Sequence, residues 1–288
     1  MYGPNQNQTS ITAQPTAGRA PHSLPSLYAL RERQEKIAML TCYDASMATL
    51  MDEAGVDILL IGDSLGMVLQ GHSSTLPVTI EDVAYHTACV ARGNKTAWVL
   101  ADMPWGSYHE SPAQAYANAA KLMAAGAHMV KIEGGAWVAP TIEFLTQRGV
   151  PVCAHIGLTP QYVHLLGGYR LQGKNEGDAQ RLQAEALTLQ QAGANMLLFE
   201  LIPAPLAASI TAQLHIPTIG IGAGPDCSGQ VLVIQDILGI FPGKKARFVK
   251  NYLAGRDSIQ AAVRAYVDEV KSGVYPAPEH SFGVVSKG

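Results

Sequence analysis

The chain has 288 residues, 48% of them apolar and 15% charged, with a formal net charge of −3. That length suits one large domain or two small ones with a substantial core, and the apolar share excludes a wholly disordered chain. The near-neutral balance offers no basic field for nucleic acid. No apolar run reaches the roughly 18 residues needed to span a bilayer, and the N-terminus lacks the basic-then-apolar layout of a secretory signal. Low charge with many small residues fits an Ala/Gly-rich α/β protein, or a chain with extensive subunit contacts. Cys42, Cys89, Cys153 and Cys227 are widely spaced, with no Cys-x-x-Cys pair. They read as free thiols of a cytoplasmic protein rather than a zinc site or a disulfide framework.

Met1 to Ser26 is rich in Gln, Thr, Pro, Ala and Gly without a hydrophobic period. It is expected to be a flexible tail, residues 1–26, preceding one catalytic domain over residues 27–288 with a C-terminal helix and extension. From Leu27 onward short apolar runs alternate with helical stretches. The runs are Ile37–Tyr43, Asp57–Asp63, Trp98–Met103 and His128–Glu133, then Pro151–Ile156, Asn195–Leu201, Pro217–Gly222 and Val231–Asp236. Each has the length and near-continuous apolar character of a buried parallel strand. Ser111-Pro112 opens a helix with a capping serine and a proline at the first helical position. Glycines after Ala54, Ala125 and Ala192 mark helix ends. The helix after the eighth run is indistinct, but Asp257–Val270 is strongly helical. Eight strands separated by helices predict a single-domain (β/α)8 TIM barrel, with a doubly wound sheet as the competing arrangement.

Charged and polar residues stand at the ends of these runs: Asp63, Asp102, Lys131, Glu133, His155 and Glu200. One such residue alone can simply reach solvent or form a structural ion pair. Six at corresponding ends converge on one barrel face, where active sites sit, and isolated buried charge is otherwise costly. Asp63, Asp102 and Glu133 are hard oxygen ligands suited to Mg²⁺; Zn²⁺ is the alternative if His155 joins the set. A cation there can chelate a 2-oxo acid and stabilise the enolate formed when a proton leaves C3, with Glu200 as the free base. Lys131 can hold the substrate carboxylate or neutralise the enolate oxygen; a Schiff base is its rival role. Ser64 and its neighbouring amides follow Asp63 directly and suit a substrate carboxylate. The segment Gly220–Gly224 lacks nucleotide-binding spacing, and its glycines are expected to permit a close approach.

Several segments together carry a family resemblance: Thr41-Cys-Tyr-Asp44, Gly62-Asp-Ser-Leu-Gly-Met67, Gln70–Val78, Ala101-Asp-Met-Pro104 and Val130–Gly135. They continue with Ala154–Pro160, Gly167-Gly-Tyr169, Ile219–Gly224, Gly273–Pro276 and Glu279–Phe282. From about Ile37 to Phe282 the sequence resembles the ketopantoate hydroxymethyltransferase family. The resemblance implies a TIM barrel of the phosphoenolpyruvate/isocitrate-lyase type, assembled as a homodecamer of two rings. It implies one-carbon transfer from 5,10-methylenetetrahydrofolate to 3-methyl-2-oxobutanoate, giving 2-dehydropantoate for pantothenate synthesis. It places the magnesium aspartates on Asp63 and Asp102, an outer metal carboxylate on Glu133, and substrate contacts on Ser64 and Lys131. The general base falls on Glu200 and an active-site histidine on His155. Gln161-Tyr-Val-His164 and Leu171-Gln-Gly-Lys174 depart from the commoner Gln-Ser-Val-Asn and Val-Gln-Gly-Arg, in the loop after the fifth strand. The competing enzyme class is a Mg-dependent C–C lyase or phosphonomutase on the same barrel type, which generally needs a cysteine-bearing loop. A decayed, non-catalytic barrel would show gaps in the site.

Overall fold

The eight runs become eight parallel strands in the computed structural model, which describes residues 18–283. They are β1 (Ile37–Thr41), β2 (Ile58–Ile61), β3 (Trp98–Asp102) and β4 (Met129–Glu133), followed by β5 (Val152–Gly157), β6 (Met196–Glu200), β7 (Thr218–Ile221) and β8 (Gly229–Leu232). Each pairs with the next in chain order and β8 returns to β1, so the sheet is a closed barrel and not a doubly wound sheet. The strands are buried along almost their whole length. Strands covered on both faces carry continuous apolar runs rather than an alternating pattern.

The helices are α1 (Leu24–Glu32), α2 (Ala45–Glu53), α3 (Leu65–Val68), α4 (Ile80–Gly93), α5 (Pro112–Ala124) and α6 (Ala139–Thr146). After them come α7 (Val163–Leu166), α8 (Glu176–Gln191), α9 (Ala204–Gln213), α10 (Ile234–Ile237) and α11 (Ile259–Lys271). Their ends follow the sequence signals. The Ser111 side chain accepts from the Gln114 amide, with Pro112 opening α5. Gly55, Gly126 and Gly193 take φ of 92°, 111° and 97° just past α2, α5 and α8, the left-handed stop that glycine adopts without strain. Among the described residues no helix is long and apolar enough to cross a membrane.

Two boundaries differ from the sequence reading. The eighth strand begins at Gly229 and ends at Leu232, so Asp236 of the expected run lies in α10. Its first residues carry no apolar signal because backbone meets backbone there. A Cβ on Gly229 would lie 2.4 Å from the Ile37 carbonyl oxygen, and the Gln230 amide is spent on the Gly224 carbonyl at 3.0 Å. Outside this seam the Tyr266 hydroxyl of α11 is 2.9 Å from the Met39 carbonyl oxygen and 3.0 Å from that of Gln230.

The second difference is at the N-terminus. Residues 1–17 of the expected tail lie outside the described residues, but residues 19–26 are part of the fold. Arg19 donates to Val56 O at 2.6 Å and Thr96 Oγ1 at 2.9 Å, and Ser23 caps α1, which covers the position expected as the tail's end. Polar anchoring of this kind has no hydrophobic period to reveal it.

Candidate active site

Strand register brings the charged residues together. β3 and β4 place Asp102 beside Lys131, β4 and β5 place Glu133 beside His155, and β5 and β6 place Gly157 beside Glu200. Lys131 and Glu133 are two residues apart and so share one face of β4. Asp63 follows β2, and its backbone N–H donates to Asp102 Oδ2 at 2.9 Å. Lys131 Nζ lies 3.1 Å from Asp102 Oδ2, 3.6 Å from Glu133 Oε1 and 3.3 Å from His155 Nδ1. His155 Nδ1 is 3.4 Å from Glu133 Oε1, and its Nε2 is 3.4 Å from Glu200 Oε2, out of line for a hydrogen bond. Five of the six expected residues are almost fully buried, while the Glu200 side chain keeps 16% exposure. Ser64 stands beside them, its hydroxyl 2.9 Å from Tyr43 Oη.

The electrostatics are unbalanced, because Lys131 faces three carboxylates. Burial raises Asp63 well above the ordinary aspartate range, and the charges of Asp102 and Glu133 raise it further. Burial likewise raises Asp102, against the opposing pull of Lys131. Burial pushes Glu133 up, but Lys131 and His155 outweigh it and hold the carboxyl below its usual value. Lys131 is held above the ordinary lysine value, since attraction by Asp102, Glu133 and Asp63 overcomes its burial. For His155, burial and Lys131 lower the pKa, yet Glu133 and Glu200 prevail and raise it.

A divalent cation fits this donor set. Asp102 Oδ1 and Glu133 Oε1 are buried with no hydrogen-bond partner among the described residues, a costly state unless another positive group satisfies them. The three carboxylates expected as ligands do not form a closed cage, however, and no group of three or more His, Cys, Asp or Glu does so among the described residues. Glu133 is drawn aside: its Oε2 accepts from the Gln161 N–H at 3.0 Å, while Oε1 faces Lys131 and His155. Asp63 and Asp102 remain as the oxygen pair, an arrangement suited to a cation that keeps waters and leaves room for substrate oxygens.

Three neutral residues escaped the sequence reading. Gln161 donates through Nε2 to Asp63 Oδ2 at 2.9 Å and to Met103 O at 3.0 Å. The Tyr108 hydroxyl lies 2.7 Å from Gln161 Oε1 and 2.9 Å from Glu133 O, and Tyr43 orients Ser64. Tyr43 does lie within a family-like segment, and Gln161 opens the departing segment directly after Ala154–Pro160. The close approach expected at Gly220–Gly224 is made by side chains: a Cβ on Gly222 would meet Phe248 at 2.8 Å and Phe282 at 3.3 Å. Leu171, in the departing loop segment, lines the same cavity, whereas Tyr162 joins the aromatic group of His109 and Trp137. The cavity measures about 790 Å³ and runs from the buried charges to the exposed Lys244 and Lys245.

The sequence profile of the family described as ketopantoate hydroxymethyltransferase matches residues 22–278. The chain is 64% identical over 260 residues to 3-methyl-2-oxobutanoate hydroxymethyltransferase of Janthinobacterium sp., covering 90% of this chain and 95% of that one. It is 61% identical over 264 residues to the enzyme of the same description from Paraburkholderia phymatum, covering 92% and 97%. Among solved structures, phosphonopyruvate hydrolase in complex with oxalate and Mg²⁺ superposes with a TM-score of 0.58 at 13% identity, over 85% of this chain and 95% of that one. A 2,3-dimethylmalate lyase of the PEP mutase/isocitrate lyase superfamily superposes with a TM-score of 0.53 at 17% identity, over 73% and 80%. At such identities these structures speak to the fold alone.

Proposed function

The chain belongs to the ketopantoate hydroxymethyltransferase family, and from that premise we propose how the barrel mouth performs the transfer. The protein is a hydroxymethyltransferase that forms ketopantoate for pantothenate biosynthesis. The observation that carries the residue assignment is the convergence of buried Asp63, Asp102, Lys131, Glu133 and His155, with only Glu200 partly open beside them. In this reading 3-methyl-2-oxobutanoate accepts the one-carbon unit of 5,10-methylenetetrahydrofolate.

Asp63 and Asp102 would hold Mg²⁺, with Glu133 as an outer carboxylate. The two ring nitrogens of His155 face Glu133 and Glu200, so the free donors are oxygens and favour Mg²⁺ over Zn²⁺. When bound, the ion supplies positive charge to the keto oxygen as negative charge develops there. Lys131 shares that task and holds the acid in place, which leaves no need for a Schiff base. Ser64, oriented by Tyr43, contacts the substrate carboxylate. Glu200 takes the C3 proton, and His155 stands between Glu133 and Glu200, 3.4 Å from each, as the histidine beside the base. The carbanion equivalent at C3 then attacks the one-carbon unit, presented as an iminium once the folate ring opens on protonation of one of its two nitrogens by the proton taken from C3. The remaining carbon–nitrogen bond breaks as water supplies the hydroxyl oxygen and its proton goes to the folate nitrogen, releasing ketopantoate and tetrahydrofolate. A cytoplasmic location is part of the proposal, consistent with four free cysteines, three of them buried. So is assembly into a homo-oligomer, a decamer by family resemblance, which light scattering would check.

The test is incubation with 3-methyl-2-oxobutanoate and Mg²⁺ in deuterated water, with and without the folate, followed by NMR. The expected result is C3 exchange without folate and ketopantoate with it. Because a general base contributes about 10²–10⁴-fold, Glu200→Gln is expected to lose exchange by that factor and keep most of its oxo-acid affinity. Undiminished exchange in that variant removes Glu200 from the role.

A further inference from the structure

The cavity is much larger than a small branched oxo acid, and its two ends differ in sign. Its buried end holds Asp63, Asp102 and Glu133 around one lysine, and its exposed end is built by the loop carrying Lys244 and Lys245. Phe241, Phe248 and Phe282 stand on the walls. The loop is tied down at its C-terminal side, where the Tyr275 hydroxyl donates to Phe248 O at 2.7 Å and Tyr252 N–H to Ile237 O at 2.7 Å.

Lys250 is already committed, pairing with Glu269 at 2.6 Å. Arg247, also on the cavity wall, gives its Nε–H to the Glu279 carbonyl oxygen at 2.8 Å and has no carboxylate partner within 4 Å among the described residues, so its charge adds to that of the mouth. Among the described residues Lys244 and Lys245 form no ion pair within 4 Å, although the charge of Lys245 is felt by Asp236 on the cavity wall. Two unspent ammonium groups at the mouth of an aromatic-walled cavity fit a ligand with a flat aromatic middle and an anionic tail. The acidic inner end repels such a tail, so the charge gradient also sets its direction. On the folate reading given above, we propose that Lys244 and Lys245 form the subsite for the glutamyl carboxylates of the folate co-substrate. The aromatic portion then lies along Phe241, Phe248 and Phe282, with the one-carbon unit toward Glu200.

The experiment compares KM for 5,10-methylenetetrahydrofolate with KM for 5,10-methylenetetrahydropteroate, which lacks the glutamate. It uses the full chain and its Lys244→Gln/Lys245→Gln and Lys244→Arg/Lys245→Arg variants. The parent is expected to favour the glutamylated co-substrate by about tenfold, a preference that added salt narrows. In the Gln variant the preference disappears through a rise in KM for the folate, while KM for the oxo acid stays fixed; the Arg variant retains it. No preference in the parent, a preference that survives in the Gln variant, or an equal rise in both KM values overturns the proposal. Folate-independent C3 exchange by the parent protein tests the enolate reading by itself, so the two failures are told apart.

Discussion

Asp57 and Asp63 flank the same strand, β2, and both are buried, but they are treated in opposite ways. At the N-terminal end of the barrel Asp57 accepts from the Ala38 N–H at 2.8 Å, pairs with the Lys271 ammonium, and has His22 Nε2 at 3.2 Å and Arg19 at 3.7 Å. Burial raises its pKa, yet His22, Lys271 and the Ala38 amide outweigh that and hold it below the usual value. At the other end Asp63 has one amide donor and two carboxylate neighbours, and its pKa is raised. Burial is common to both, so the partners make the difference. One aspartate is supplied with donors that hold the barrel closed. The other is kept short of positive charge, a condition typical of sites that bind or react.

The sharpest way to separate the two is substitution by asparagine. Asp63→Asn removes a carboxylate crowded by others, so thermal stability is expected to hold or rise. Activity is expected to fall by ~10³-fold, corresponding to several kcal/mol of charge stabilisation. Asp57→Asn should do the reverse, with catalysis measured at low temperature retained and stability lost. The lost charge leaves Lys271 and His22 without their partner; Lys271 is a third exposed, which softens the effect, so about 2–3 kcal/mol is expected by urea titration. A matched loss of stability in both variants would mean that both aspartates serve the fold.

Acid sharpens the comparison further. The folded-state pKa of Asp57 is depressed, so its contribution is complete above the unfolded aspartate range near pH 4. It is lost as pH falls through the lower folded value. The stability gap between the parent and Asp57→Asn should therefore be full at pH 7 and shrink below about pH 4. A gap that stays constant with pH would assign the effect to packing rather than to charge.

This contrast also explains what the sequence made legible. A charge at or near the end of a continuous apolar run is conspicuous, so Asp63, Asp102, Lys131, Glu133, His155 and Glu200 stand out in the sequence alone. Barrel closure could be favoured but not fixed, since the Gly229-Gln230 start of β8 has no apolar pattern and its role depends on Ile37, far away in the chain. The donors around Asp57 were invisible for a related reason. Arg19 and His22 sit in a polar, Pro-rich stretch, and only the folded chain brings them under β2. Gln161 and Tyr108 are neutral residues outside the strands, and their importance rests on partners that local sequence does not name.

The smallest expected effect probes that neutral support. Tyr108→Phe keeps the ring, which stacks at 14° to Trp137 with centroids 6.2 Å apart, and deletes only the hydroxyl between Glu133 O and Gln161 Oε1. About 1 kcal/mol of stability should be lost, the usual value of one such hydrogen bond. The more telling consequence lies one residue away. With its oxygen unclaimed, the Gln161 amide keeps only its two Nε2 hydrogen bonds, and its N–H group is held less firmly against Asp63. Supporting hydrogen bonds around metal ligands typically tune affinity by 10–100-fold when removed entirely. A variant that loosens one should raise the Mg²⁺ concentration for half-maximal C3 exchange by about threefold to tenfold. An unchanged Mg²⁺ response with the same loss of stability would place Tyr108 with Asp57, among the residues that hold the barrel together.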